Sequence, residues 1–161
     1  MRSRRMFLAF VVGTCLSVSN AIAGKEKNVP TQKQVELSHT IVRIVTIPHK
    51  WQEYDTAGNW HVKADGKEIT ISVSRMHDQR YEFLVALHEL IEAYLCKTRG
   101  ISETAVTAFD KAHLAAAEPG DLPDAPYFRE HVFATKIERM LADELGVNWH
   151  DYNAAVEALS K

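Results

Sequence analysis

The segment Tyr81–Cys96, YEFLVALHELIEAYLC, constrains the fold more than any other stretch, because it sets His88, Glu89 and Glu92 inside a run that is otherwise almost wholly apolar. At 3.6 residues per turn His88 and Glu92 lie one above the other, with Leu84 and Leu95 continuing the stripe. Phe83, Val85, Leu87, Leu90, Ile91 and Tyr94 occupy the other sides, so the pattern predicts a central helix covered nearly all round. Three ionisable groups buried within five positions need partners, because an unpaired buried charge costs several kcal/mol or is forced neutral. A divalent metal meets that need. An imidazole and a carboxylate at i and i+4 can bind one ion, and the neighbouring Glu89 can act on a water held there.

On these residues a resemblance enters. HELIE resembles the HExxH helix of zincin metallopeptidases, with Glu92 in place of the second histidine. The resemblance implies a zinc-dependent hydrolase acting on a peptide or small-molecule substrate, with Glu89 as general base and His88 and Glu92 as ligands. Zinc in hydrolases usually keeps three protein ligands and one open position. The third is assigned to His131, which lies on a separate predicted helix and borders apolar neighbours. Glu138, one stripe along, is the alternative ligand or the acceptor that orients His131. Tyr127, one turn before His131, is the candidate donor to an oxyanion.

Composition bounds the rest. The chain has 161 residues, 46% hydrophobic and 25% charged, which suits one domain with a real core. Arg2, Arg4 and Arg5 precede the apolar run Met6 to Val18 and then Ala21-Ile22-Ala23, which reads as a secretory signal over residues 1–23, cleaved before Gly24. The expected location is the periplasm or outside the cell, with no stable membrane insertion after cleavage. Lipidation at Cys15 is the lesser alternative. Of 19 Lys and Arg against 21 Asp and Glu, the signal removes three Arg and no acid, leaving the mature form at −5. With no basic stripe or interleaved aromatics, nucleic acid is not an expected partner. Cys96 is then the only cysteine, and on an apolar helix it reads as a buried, inert thiol.

In chain order, 24–35 reads as a polar leader, and His39 to Ile47 as a strand with both faces partly buried, ended by Pro48. Asn59–Lys63 and KEITISVS flank Asp65-Gly66, the cue for a hairpin with a two-residue loop. The central helix stops at Gly100. Ser102 caps a helix over 103–117, and the turn-rich Glu118–Asp124 is a candidate lid. A third helix runs from Pro126 to Leu145, with His131, Ala134, Glu138, Leu141 and Leu145 as its inward stripe, beside Phe133, Ile137 and Met140. A terminal helix over 149–159 is anchored by Trp149 and Tyr152. The fold class is α+β: a small antiparallel sheet of about three strands packed on the central helix, with two or three further helices in a zincin-like arrangement.

Two other resemblances bear on function. His77-Asp78, His150-Asp151 and the phrase ALHELIEAYL are similar to HD phosphohydrolases, although Glu89 stands where that family has Asp and a hairpin replaces its upstream ligand helix. YDTAGNWHV, FLVALHELIEAYLC and EHVFATKIERMLADELGV resemble small phage and prophage proteins without an assigned activity. That implies a mobile-element origin and leaves a metal-stabilised interaction protein as an alternative. His61, His77, His113 and His150 read as surface or structural. No Ser/His/Asp arrangement, phosphate loop or cysteine cluster is legible.

Overall fold

The computed structural model describes residues 40–159. The signal segment, the leader and His39 lie outside the described residues. Three strands, β1 (Ile41–Ile47), β2 (Gly58–Val62) and β3 (Glu68–Ser74), and four helices, α1 (Gln79–Arg99), α2 (Glu103–Ala112), α3 (Phe128–Glu144) and α4 (Trp149–Glu157), make an α+β unit. None of the described helices is long and apolar enough to cross a membrane.

The sheet is mixed, in the order β1-β3-β2, where a wholly antiparallel one was expected. β2 and β3 form the anticipated hairpin, with Trp60 opposite Ile71 and Val62 opposite Ile69. β1 runs parallel to β3, Val42 beside Ile69 and Thr46 beside Val73. Residues 48–57 cause this by crossing over the C-terminal end of β3 instead of folding back beside β1. Ala57 O receives the Ser74 N–H at 2.8 Å and Ile47 O the Arg75 N–H at 2.7 Å.

The hairpin turn also differs from the two-residue loop. The Gly66 N–H closes onto Lys63 O at 2.7 Å, and Glu68 O receives the Lys63 N–H at 3.0 Å, which leaves four residues between the paired ends. Within this turn only Gly66 has positive φ, at 68°, whereas a type I′ turn needs it at both central residues. Asp65 instead accepts the Lys67 N–H at 2.9 Å, an Asx-type bond that holds it at negative φ.

Ile69, Ile71 and Val73 are fully buried, the period-2 face that meets α1. α1 starts on Asp78, whose side chain accepts the Arg80 N–H, and ends on Gly100 at φ 74°. Its cover is incomplete. Tyr81, Leu84, Val85, His88, Glu92 and Cys96 are buried, but Phe83 and Tyr94 are 50% and 57% exposed, because sheet and α3 cover only part of the cylinder. β1 is likewise an open edge, with Ile41, Val42 and Ile44 exposed.

α2 ends at Ala112, five residues before the expected boundary. His113 stops it: its Nδ1 lies 2.8 Å from Phe109 O and its ring stacks on Phe109 at 4.0 Å, so the side chain competes for the carbonyl the next turn would use. α3 buries His131, Ala134, Glu138 and Ala142, while Phe133 and Met140 face solvent. α1 and α3 pack together, and this contact builds the site.

Candidate metal centre

His88 and Glu92 come from successive turns of α1, and His131 from the facing stripe of α3. The three offer His88 Nε2, Glu92 Oε2 and His131 Nδ1 to one point, making a group able to hold a metal ion. His88 Nε2 lies 3.1 Å from His131 Nδ1 and 3.5 Å from Glu92 Oε2, and His131 Nδ1 lies 3.2 Å from Glu92 Oε2. Bonds of about 2.0–2.1 Å in tetrahedral geometry set ligand atoms roughly 3.3–3.4 Å apart. The three separations are close to the edges of one face of such a tetrahedron.

Hydrogen-bond partners set the orientation of each side chain. Glu138 Oε2 lies 2.9 Å from His88 Nδ1, and a carboxylate there calls for a proton on Nδ1, which leaves Nε2 with its lone pair. The other oxygen of Glu138 takes the Tyr152 hydroxyl. Glu92 Oε1 takes the Trp60 indole N–H at 3.1 Å, leaving Oε2 for the common point. His131 Nε2 is 3.5 Å from Asp121 Oδ1, ion-pair distance rather than a hydrogen bond. Three atoms able to offer lone pairs thus converge, and a cation bound among them would displace the protons that bridge them in its absence, a donor set suited to a metal.

Without a metal, the same side chains form a network of opposite charges. Burial alone would push Glu92 up, but hydrogen bonds from His131 and His88 outweigh it and hold the carboxyl at about 2. Burial alone would depress His88, yet Glu138 and Glu92 raise it well above its ordinary value. Each ligand is held by the opposite charge of its neighbours. Glu89, pushed up first by burial and then by the Glu92 charge, is half-buried against Gly58 of β2.

Tyr127 is placed differently from the expected oxyanion donor. Its hydroxyl donates to Asp110 Oδ1, while Asp110 Oδ2 takes the Tyr54 hydroxyl at 2.7 Å. That proton is committed away from the ligands. Glu138 does orient a histidine, but it is His88 and not His131; the neighbour of His131 is Asp121, on the Pro119–Asp121 turn of the expected lid.

The remaining histidines fall outside the cluster. His61 meets Glu103 at 2.7 Å on the surface, His77 is exposed, and His150 lies 3.5 Å from the adjacent Asp151. Asp78 is spent as a helix cap. A Ser/His/Asp set does form, contrary to expectation: His49 Nδ1 is 2.9 Å from Ser74 Oγ, and its Nε2 is 2.9 Å from Asp55 Oδ1. Ser74 is fully buried, donates to Thr56 O at 3.1 Å and takes the Gln52 amide at 3.1 Å. Its hydroxyl is used up, so the set clasps the crossover to β3 and is no nucleophile.

No motif in the sequence marks Trp60, Asp110, Asp121 or Tyr152 as site residues. A tryptophan on the inward face of a strand does carry one signal, since a buried indole N–H seeks an acceptor. Two surface cavities, of about 400 and 430 Å³, are lined by other residues, the second touching the site's surroundings through Asp121. Neither is lined by His88, Glu89 or Glu92. Comparison with family models, with curated proteins and with solved structures brings no match to the chain.

Proposed function

We propose that the protein is an exported, zincin-like metal-dependent hydrolase of the peptidase type, with zinc held by His88, Glu92 and His131 and with Glu89 as general base. The observation that carries this reading is the set of three ligand atoms, one on each of three side chains, separated by 3.1, 3.2 and 3.5 Å around a common point. When bound there, a divalent ion supplies Lewis acidity toward water and a substrate carbonyl.

The chain's own residues do the remaining work. Glu138 keeps the proton of His88 on Nδ1, Trp60 fixes which oxygen of Glu92 faces inward, and Glu89 follows His88 on the helix to take a proton from attacking water. The surroundings of Glu89 are acidic, with Glu92, Asp110 and Glu118 within electrostatic reach. Such a field favours neutral peptide carbonyls over phosphoesters, which set the HD-type reading second. Export rests on residues 1–23 and predicts a mature N-terminus at Gly24, to be read by N-terminal sequencing.

The test is Glu89→Gln in zinc-loaded protein against a broad peptide panel. The reading predicts that turnover is lost and zinc retained. Full turnover in the variant would remove Glu89 as base. Zinc-dependent release of phosphate from phosphoesters, with none from peptides, would establish the HD-type alternative. Wild-type protein that holds zinc but is inactive on both panels would instead be a metal-stabilised interaction module.

A further inference from the structure

Five glycines lie among the described residues, and they divide into two kinds. Gly66, Gly100 and Gly146 have φ of 68°, 74° and 62°, with nothing within 4 Å of where a Cβ would stand. They are glycine for the backbone's sake. Gly58 and Gly120 have ordinary backbone angles, and each presses on a site residue. A Cβ on Gly58 would stand 2.6 Å from Glu89 Cγ and Oε1, and one on Gly120 2.4 Å from His131 Cγ and 2.5 Å from its Nδ1.

The His131 ring is therefore seated on bare backbone. The His88 ring meets it edge-on at 4.7 Å and Tyr127 at 6.1 Å, so the remaining sides of the seat are also built. The residue after Gly120 brings Asp121 Oδ1 to 3.5 Å from the outward nitrogen, Nε2. Without a metal, Glu92 Oε2 at 3.2 Å competes for a proton on Nδ1; with Nδ1 given to a cation, the ring proton sits on Nε2, on the side that the Asp121 carboxylate faces. His88 is arranged in the opposite sense, with Glu138 on Nδ1 and Nε2 facing inward. The two imidazoles can meet one ion from different helices because different nitrogens point at it.

We propose that the Pro119–Asp121 turn is the positioning element of the third ligand: Gly120 seats the His131 ring and Asp121 faces its Nε2 side, so that Nδ1 is held toward the metal. This rests on the metal centre proposed above. A turn that merely packed on α3 would affect stability, with no particular effect on metal affinity or on which nitrogen binds.

The experiment is a zinc titration of the full chain, by competition with a chromophoric chelator, for wild type, Gly120→Ala, Asp121→Asn and Gly58→Ala. Side-chain nitrogen NMR of the wild-type zinc form accompanies it. Gly120→Ala and Asp121→Asn are expected to weaken zinc about 10–100-fold, the usual effect of removing an orienting neighbour. Gly58→Ala, which presses on Glu89 and on no ligand, keeps wild-type affinity although it also crowds the core. NMR is expected to show His131 bound through Nδ1 and protonated at Nε2. Wild-type affinity in Asp121→Asn, or binding through Nε2, would overturn the proposal. If Gly120→Ala does not fold, Asp121→Asn decides with the NMR, since Asp121 is 64% exposed in its side chain and tolerates the change. A wild-type chain that takes up no zinc would overturn the metal centre itself, an outcome visible before any variant is compared.

Discussion

The carboxylate of Glu138 takes the Nδ1–H of His88 at 2.9 Å, across the packed faces of α3 and α1. That bond sends the lone pair of His88 toward Glu92 and His131. Glu138→Gln would offer an amide NH₂ where an acceptor stood and draw the imidazole proton to Nε2, where a metal has to bind. Zinc affinity is expected to fall about 10–100-fold with the fold retained. Chelator competition measures it, and unchanged affinity would show that Glu138 does not set the tautomer.

Trp60 holds Glu92 from the sheet side, its indole N–H donating to Oε1 at 3.1 Å in a buried setting. Trp60→Phe keeps most of the apolar contact but leaves one carboxylate oxygen unpaired. Hydrogen bonds to charged groups are worth about 1.5–3 kcal/mol, so zinc-free protein should lose stability in that range. Urea unfolding reads the loss; a midpoint equal to wild type would mean that solvent replaces the donor.

Cys96 is buried on α1, and burial first, then the charges of Glu92 and Glu130, push its thiol up to about 12. The native protein should resist alkylation at neutral pH and react promptly in denaturant, since the thiolate is the nucleophile. Rapid labelling of folded protein would place the thiol at the surface.

Asp78 caps α1. The Arg80 guanidinium, and then the Arg80 backbone N–H, hold its carboxyl below the ordinary value. A folded-state value below the unfolded one gives stability that is present above the unfolded value, about 3.9, and is lost as pH falls through the folded one. Asp78→Asn keeps a cap but cannot ionise, so its loss of stability between neutral and acid pH should be smaller than wild type's. Urea midpoints at the two pH values compare them, and equal losses would contradict the assignment.

The helix of Tyr81–Cys96, the hairpin pairing and α3 were legible because each rests on local chemistry: 3.6-residue periodicity, Asp65-Gly66, and glycines past the helix ends. His131 was legible too, through its place on an apolar stripe facing a helix that needed a partner. The parallel pairing of β1 was not, because it depends on where residues 48–57 cross and no residue within β1 encodes that. The early end of α2 came from one histidine binding a carbonyl, which periodicity does not register. Trp60, Asp121 and Tyr152 reach the site from a strand, a turn and the last helix. Their roles follow from tertiary contacts, so the sequence could name the candidate ligands but not what orients them.

The most direct test of the metal centre is elemental analysis of purified full-length protein, before and after zinc addition and dialysis, beside Glu92→Ala prepared in the same way. One zinc per chain is expected in wild type, and its loss in Glu92→Ala. A wild-type chain that neither carries nor takes up zinc, or a Glu92→Ala chain that holds as much as wild type, would contradict it.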